Sequence, residues 1–319
     1  MADNTVTRVG QINAAGDVDA LFLKVFAGEV LAAFHTANLA LGRTQVRSIS
    51  NGKSAQFPRT GLVNARYHTP GTEITGQATN QAEVVITIDD LLIADVSIAN
   101  IDEAKSHFDV RSTYSNEMGL ALAKAMDLHI LQTGILGARQ SNPVSGLPGG
   151  SVVTLNAAAD ATDGVKLAAA MFKAAEIFDN KGIPEEGRTF WVRPAQYYAL
   201  AQNTTTINQF WGGRGAYSDG TVVKVAGLEL VKTPNLPSAV VANGTVAAGT
   251  GNRYAGDFSK TVGLAMHSSG VGTVKLLDLG MESEYSVRRQ STLMVGKYAC
   301  GHGVLRPESL IEIAVPAAA

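Results

Sequence analysis

The spacing of apolar residues changes period repeatedly along the chain, and each change predicts an element. Phe22, Val25, Phe26, Val30 and Phe34 recur at three- and four-residue steps behind Asp17 and Asp19. That is the pattern of an amphipathic helix with acidic residues where its dipole favours them, and it suits a core helix or a docking arm equally. "VRSIS" and "KSAQF" flank Asn51-Gly52, which tolerates positive φ. The pattern predicts a two-residue hairpin pairing Val46 with Phe57 and Ser48 with Ala55. From Arg59 to Ala82 there is no core face and a turn at Pro70-Gly71, too long for a plain connector, so the segment is functional or projecting. Strand character resumes with Val84, Ile86 and Ile88 on one face.

Asp109 is placed to cap the longest helix, with Val110, Tyr114, Met118, Ala121 and Ala125 on one face and Leu122 and His129 beside it. Gly134 and Gly137 are expected to end it after ~25 residues, a span of roughly 38 Å. Asp163 opens an alanine-rich helix that packs Leu167, Met171 and Ile177 or their neighbours and closes at Asn180 and Gly182. "RTFWVRP" is a strand stopped by Pro194, "AQYYALAQN" the helix after it. The final third reads mostly as strand. Runs of helix and runs of strand without regular alternation place the chain in the α+β class.

Composition adds restraint. The chain has 319 residues, 45% hydrophobic but only 17% charged, against the roughly 25% charged usual for soluble chains. A surface short of charge suits a subunit largely covered by neighbours. The net charge of -2 lacks the basic footprint of a nucleic-acid binder. The polar stretch "MADNTVTRVGQINAAGD" carries no signal-peptide pattern, and "LFLKVFAGEVLAAF" is too short for a membrane span, so synthesis in the cytosol is expected.

Candidate chemistry is thin. Gly52, Lys53 and Ser54 end like a phosphate-binding loop, but Arg47 stands where its first glycine belongs and Pro58 forbids the helix that should follow. None of the six histidines (His35, His68, His107, His129, His267, His302) has a partner at metal-motif spacing. Asp89 and Asp90, as adjacent strand residues, point to opposite faces. "GRGAYSDG" and "GTGNRYAG" read as loops. Cys300, the single cysteine, reads as a small buried hydrophobe. Arg288-Arg289 is either a solvated strand edge or a pair reaching an acidic residue across a subunit boundary.

With these readings in place, several separated motifs become informative together. "ALFLKVFAGEVLAAF", "VRSISNGKSAQFP", "VITIDDLLIADV", "FDVRSTYS", "VGTVKLLDL" and "KYACGHGVLRPE" occur in an order that closely resembles the major capsid proteins of short-tailed, autographivirus-type bacteriophages. That family shares the tailed-phage capsid fold with encapsulins and the floor of herpesvirus shells. Between about Gly134 and Val262 the resemblance is mainly one of layout. It implies an N-terminal arm over 1–43 and an extended loop over 44–90. It further implies a peripheral domain with a long spine helix over 91–160 and 263–304, and an axial domain over 161–262 and 305–319.

The resemblance implies a structural subunit forming pentamers and hexamers that close into an icosahedral shell around double-stranded DNA, with no enzymatic activity and no cofactor or metal. Implied partners are further copies of the chain, a scaffolding protein, a portal protein at one vertex, in some relatives a cementing protein, and packaged DNA held without sequence-specific binding; no membrane is implied. The stretch before Asp17 is too short for a built-in scaffolding domain, and no lysine is marked as a crosslinker. Candidate contacts between subunits are Phe22, Phe26, Lys53, Arg59, Leu62, Arg66, Tyr67, Arg288 and Arg289. Alternative readings are an encapsulin-like nanocompartment, a phosphate-loop protein using Lys53 and Ser54, and a surface adhesin.

Overall fold

Pairing between strands distant in sequence, more than turns between neighbours, organises the chain in the computed structural model, which describes residues 38–105, 110–202, 215, 216, 221, 222 and 224–316. In chain order the elements begin with β1 (Gln45–Ser48), β2 (Ser54–Thr60), β3 (Gln81–Thr87), β4 (Leu92–Ala99), α1 (Asn100–Lys105) and α2 (Val110–Ala138). There follow β5 (Ser151–Thr154), α3 (Gly164–Asn180), β6 (Arg188–Val192), α4 (Pro194–Ala201), β7 (Gly215–Ala216), β8 (Thr221–Val222), β9 (Lys224–Val225) and β10 (Leu228–Lys232). The last are β11 (Val240–Val241), β12 (Gly256–Asp257), β13 (Thr261–His267), β14 (Val271–Ser286), β15 (Ser291–Val304) and β16 (Leu310–Ala314). The stretch behind Asp17 and the cap position Asp109 lie outside the described residues.

Two sheets carry the body. A four-stranded sheet in the order β1-β14-β15-β4 is built on the long antiparallel ribbon of β14 and β15. A six-stranded mixed sheet runs β5-β16-β13-β6-β10-β9. Its centre is apolar on both faces: every residue of β6 and of β16 is buried, the pattern of strands covered on two sides. On one side Leu167, Ala170, Met171, Ala174 and Phe178 of α3, with Leu200 of α4, pack against Phe190, Val192, Ile311 and Ile313. On the other, Ile130, Leu131 and Ile135 of α2 share a core with Trp191, Leu264, Met266 and Leu310.

The caps of α3 form as expected. The Asp163 side chain accepts from the Val165 N–H at 2.8 Å. At the other end the Ile183 N–H bonds the Phe178 carbonyl at 3.0 Å and the Gly182 N–H the Asp179 carbonyl at 2.9 Å, with Gly182 at φ +67°. This is a Schellman closure, and glycine takes its left-handed position without the Cβ penalty. Pro194 both ends β6 and supplies the first residue of α4, where its missing N–H has no role.

Two expectations are corrected. The first is the hairpin at Asn51-Gly52. β1 pairs in parallel with β14, Val46 opposite Thr273, while β2 pairs with β3, Phe57 opposite Val84 and Ala55 opposite Ile86. Asn51-Gly52 instead forms a corner, Gly52 at φ +108°, that passes the chain from one sheet to another. The second is the end of α2, which runs 29 residues through Gly134 and Gly137 to Ala138. Those glycines are packing residues: a Cβ at Gly134 would stand 2.7 Å from Leu264 Cδ2, and one at Gly137 2.5 Å from Leu310 Cδ1. They let α2 lie close over the six-stranded sheet. Met118, Leu122 and His129 are buried as expected, but the buried face continues through Met126 and leaves Ala121 exposed.

Just past α2, Arg139 forms a two-pronged pair with Glu312 of β16, Nε–Oε2 2.6 Å and Nη2–Oε1 2.7 Å. Glu312 is buried, Thr261 Oγ1 also donates to it at 2.6 Å, and the pairing raises the arginine pKa further. The pair fastens the exit of the long helix to the sheet.

Candidate interaction surfaces

The antiparallel pair β2–β3 is the root of a projecting hairpin. Ala55 and Ile86 are buried against Val274 and Leu305, so one face of the root belongs to the body's core. Glycines make the seat. A Cβ at Gly301 would come within 2.2 Å of the Thr87 carbonyl oxygen, and one at Gly303 within 2.7 Å of Ile86 Cγ1. The "GHG" of residues 301–303 is therefore a surface stripped of side chains so that β3 can lie across β15.

Beyond the root, residues 61–80 carry no regular structure and little cover. The Gly61 N–H bonds the Asn80 carbonyl at 2.7 Å, Asn80 Nδ2 reaches the Ser145 carbonyl at 3.2 Å, and Arg66 donates to the Thr75 carbonyl across the arm. Leu62 is 74% exposed, Ile74 72%, and Val63 and Tyr67 are likewise in solvent. Among the described residues, these apolar side chains stand in solvent away from the cores of the body. Exposed apolar groups gathered on one segment mark an interaction site.

The expected contact residues fall into distinct places. Leu62, Arg66 and Tyr67 sit together on the arm. Lys53 lies at the corner, its carbonyl accepting from the Ile88 N–H at 2.8 Å and its side chain exposed. Arg59 is engaged within its own chain: Nη2 lies 2.6 Å from Glu308 Oε1 with both side chains about nine-tenths buried, and Nη1 donates to the Leu305 carbonyl at 3.1 Å. Arg288 and Arg289 occupy the exposed turn joining β14 to β15, at the end of the ribbon and not along a strand edge. Tyr285 and Val287 are exposed beside them. Phe22 and Phe26 lie outside the described residues.

Where β3 leaves the root, Asp89 meets a group of residues that sequence reasoning did not bring together. Its carboxylate accepts from the Tyr254 hydroxyl and pairs with Arg253 at 3.2 Å, and Tyr254 Oη in turn accepts the His302 N–H at 3.1 Å. The His129 ring stacks on Tyr254 with centroids 4.5 Å apart. Burial raises the Asp89 carboxyl above its ordinary range, against the Tyr254 bond and Arg253, and raises the Tyr254 phenol. Burial pushes His302 down to about 3, and its Nδ1 lies 3.0 Å from Thr273 Oγ1. Burial also pushes Cys300 up to about 12, the state of an inert packing thiol.

These groups are arranged to hold backbone in place. A cavity of about 400 Å³ opens beside Asp89, His129, Val246 and Thr250. No group of three or more metal-ligating side chains forms among the described residues. The phosphate-loop reading fails on geometry, because Lys53 and Ser54 lead into a strand instead of opening a helix. Among the described residues no helix is long and apolar enough to cross a membrane.

Residues 56–314 match a family described as Gp10A-like major capsid protein. The chain is 38% identical over 320 residues to the major capsid protein of Escherichia phage T7, covering 93% of this chain and 92% of that one. Its fold superposes on a chain from the capsid structure of cyanophage P-SCSP1u with a TM-score of 0.83 and 44% identity, over 99% of this chain and 100% of that one. A chain from the mature capsid of bacteriophage PhiM1 shares the fold at TM-score 0.77 with 18% identity, over 98% of each chain.

Proposed function

The chain belongs to the Gp10A-like family of major capsid proteins, and from that premise we propose how its parts serve a shell. It is the structural subunit from which a tailed phage builds its icosahedral capsid, a component of the virion and not an enzyme. Many copies of one chain meet through unlike patches, and symmetry closes these contacts into pentamers, hexamers and then a shell.

The observation that carries the finer reading is the arm at residues 61–80, whose Leu62, Val63, Tyr67 and Ile74 are exposed on a rooted hairpin. Residues 44–90 act as the extended loop that lies over a neighbouring subunit, burying those apolar groups and pairing backbone against it. Lys53, Arg66, Arg288 and Arg289 supply exposed cations to the same kind of boundary, and Phe22 and Phe26 belong to an N-terminal arm over 1–43. The peripheral domain, 91–160 and 263–304, is organised by α2 on the β14–β15 ribbon. The axial domain, 161–262 and 305–319, is organised by α3 and α4. β5 and β13 join the two, since β5 falls in a peripheral range and β13 crosses the boundary at 262–263, yet both pair within the six-stranded sheet.

A scaffolding protein, a portal at one vertex and packaged double-stranded DNA complete the assembly, and a cementing protein binds where a relative's shell carries one. The test is expression with and without the scaffolding partner, imaged by negative-stain electron microscopy. Closed shells of uniform size that depend on the scaffold are expected. Monomers or small rings in both samples would contradict the reading.

A further inference from the structure

The root of the extended hairpin is gripped from two sides by residues far away in sequence. On the β2 side, Arg59 forks onto Glu308 Oε1 and the Leu305 carbonyl. Asn142 Nδ2 donates to Glu308 Oε2 at 3.0 Å, so the second carboxylate oxygen is also satisfied. On the β3 side, Arg253 Nη1 donates to the Thr87 carbonyl at 2.7 Å and to Asp89 Oδ1 at 3.2 Å, while Tyr254 donates to Asp89 Oδ2. Thr250 Oγ1 takes the Asp90 N–H at 2.9 Å and lies 3.2 Å from Asp90 Oδ2.

The glycine-rich segment "GTGNRYAG", residues 249–256, thus has a use. It wraps the exit of β3, and Gly249 gives it close passage over Tyr254, where a Cβ would stand 2.3 Å from the ring. Between the two grips, Ile86 rests over Gly303 and Gly272. The apolar contacts of Ala55 and Ile86 with Val274 and Leu305 hold the pair down but are non-directional, and the glycine backbone beneath adds no side chain that would set its angle. Two directional, charge-assisted clamps on opposite strands supply what that smooth seat lacks.

We infer that Arg59 with Glu308, and Arg253 with Asp89, are positioning residues that fix the angle at which the hairpin leaves the body, and that shell closure depends on this angle. The inference rests on the reading of the hairpin as an arm that reaches a neighbour. An arm of some twenty residues magnifies any rotation at its root, so small errors there misplace its apolar tip by many ångströms.

The test uses the full chain expressed with its scaffolding partner and carries two readouts. Amide hydrogen exchange on the unassembled chain compares residues 54–60 and 81–87 with α3 and β6, and electron microscopy scores closed shells. Arg59→Gln combined with Arg253→Gln is expected to speed exchange in the hairpin strands by about tenfold or more, with α3 and β6 within about twofold of wild type. Closed shells are expected to fall by at least about tenfold, with Arg59→Lys and Arg253→Lys recovering part of the loss.

Unchanged hairpin exchange in the double variant, or wild-type shell yield despite faster exchange, would overturn the inference. If the double variant loses protection in α3 and β6, the single variant Arg253→Gln decides: it opens only the β3-side clamp, and unchanged exchange at residues 81–87 with normal shells would overturn the inference equally. The arm reading fails separately, through wild-type shells from chains altered only at Leu62 and Tyr67.

Discussion

The root and the tip of the extended hairpin are continuous in sequence and opposite in physics. At the root, β2 and β3 pair residue for residue, Ile86 is buried, and Gly301 and Gly303 yield their side-chain space to the strand above. Between Gly61 and Asn80, Leu62 and Tyr67 stand in solvent. A monomer gains nothing from apolar groups held there, whereas a subunit that covers its neighbour does. The root is therefore built for the stability of one chain and the tip for the contact between chains. Substitutions at the two ends should separate folding from assembly.

The largest effect on folding is expected at the seat. Gly301→Ala places a methyl group 2.2 Å from the Thr87 carbonyl oxygen, a backbone atom that no rotamer change can move. A loss of about 3 kcal/mol is expected from overpacking, read as a lower urea midpoint. A midpoint equal to wild type would show that β3 does not rest there.

The next effect is one of pH. His302 is buried and its pKa is pushed down to about 3, while an unfolded histidine titrates near 6.5. Below that pH the unfolded chain takes up a proton the folded chain refuses. The contribution of His302 is thus complete above about pH 6.5 and is lost as pH falls towards about 3, at up to about 1.4 kcal/mol per pH unit. His129, also lowered by burial, acts in the same sense, while the raised carboxyls of Asp89 and Asp127 act in the opposite one. The discriminating quantity is the difference between wild type and His302→Asn. Wild-type stability should fall more steeply between pH 6 and 4.5, and parallel curves would remove the assignment.

A smaller cost is expected at the corner. Gly52→Ala meets open space but holds a side chain at φ +108°, which predicts a loss of about 1–2 kcal/mol by denaturation. A stability gain there would mean that the corner relaxes. The smallest folding effect belongs to the tip: Leu62→Asp with Tyr67→Asp should change stability by less than about 0.5 kcal/mol, because both side chains are exposed. The same pair should abolish closed shells. It is expected to leave the whole monomer, hairpin root included, intact and to remove the particle.

How much of this could be read from sequence depended on whether local chemistry or distant neighbours decided each element. Asp163, Gly182 and Pro194 act through their own backbone, and the boundaries of α3 and β6 fell where they indicated. The coreless run after Arg59 was legible for a related reason, since a segment without apolar periodicity presents no face to its own chain's core. Asn51-Gly52 misled because turn residues permit a turn without choosing its strands: β1 finds its partner in β14 and β2 in β3. Gly134 and Gly137 misled because a glycine that ends a helix and one that admits a neighbour look alike until Leu264 and Leu310 are in place. The clamps at Arg59 and Asp89 join residues from opposite ends of the chain, and no spacing rule connects them.

The most direct measurement is a reconstruction of the assembled shell by cryo-electron microscopy, at a resolution that shows side chains in residues 61–80. The account predicts Leu62, Tyr67 and Ile74 buried against an adjacent subunit, with the Arg59–Glu308 pair still closed within each chain. An arm lying in solvent, or folded back onto its own subunit with those side chains covered there, would contradict it.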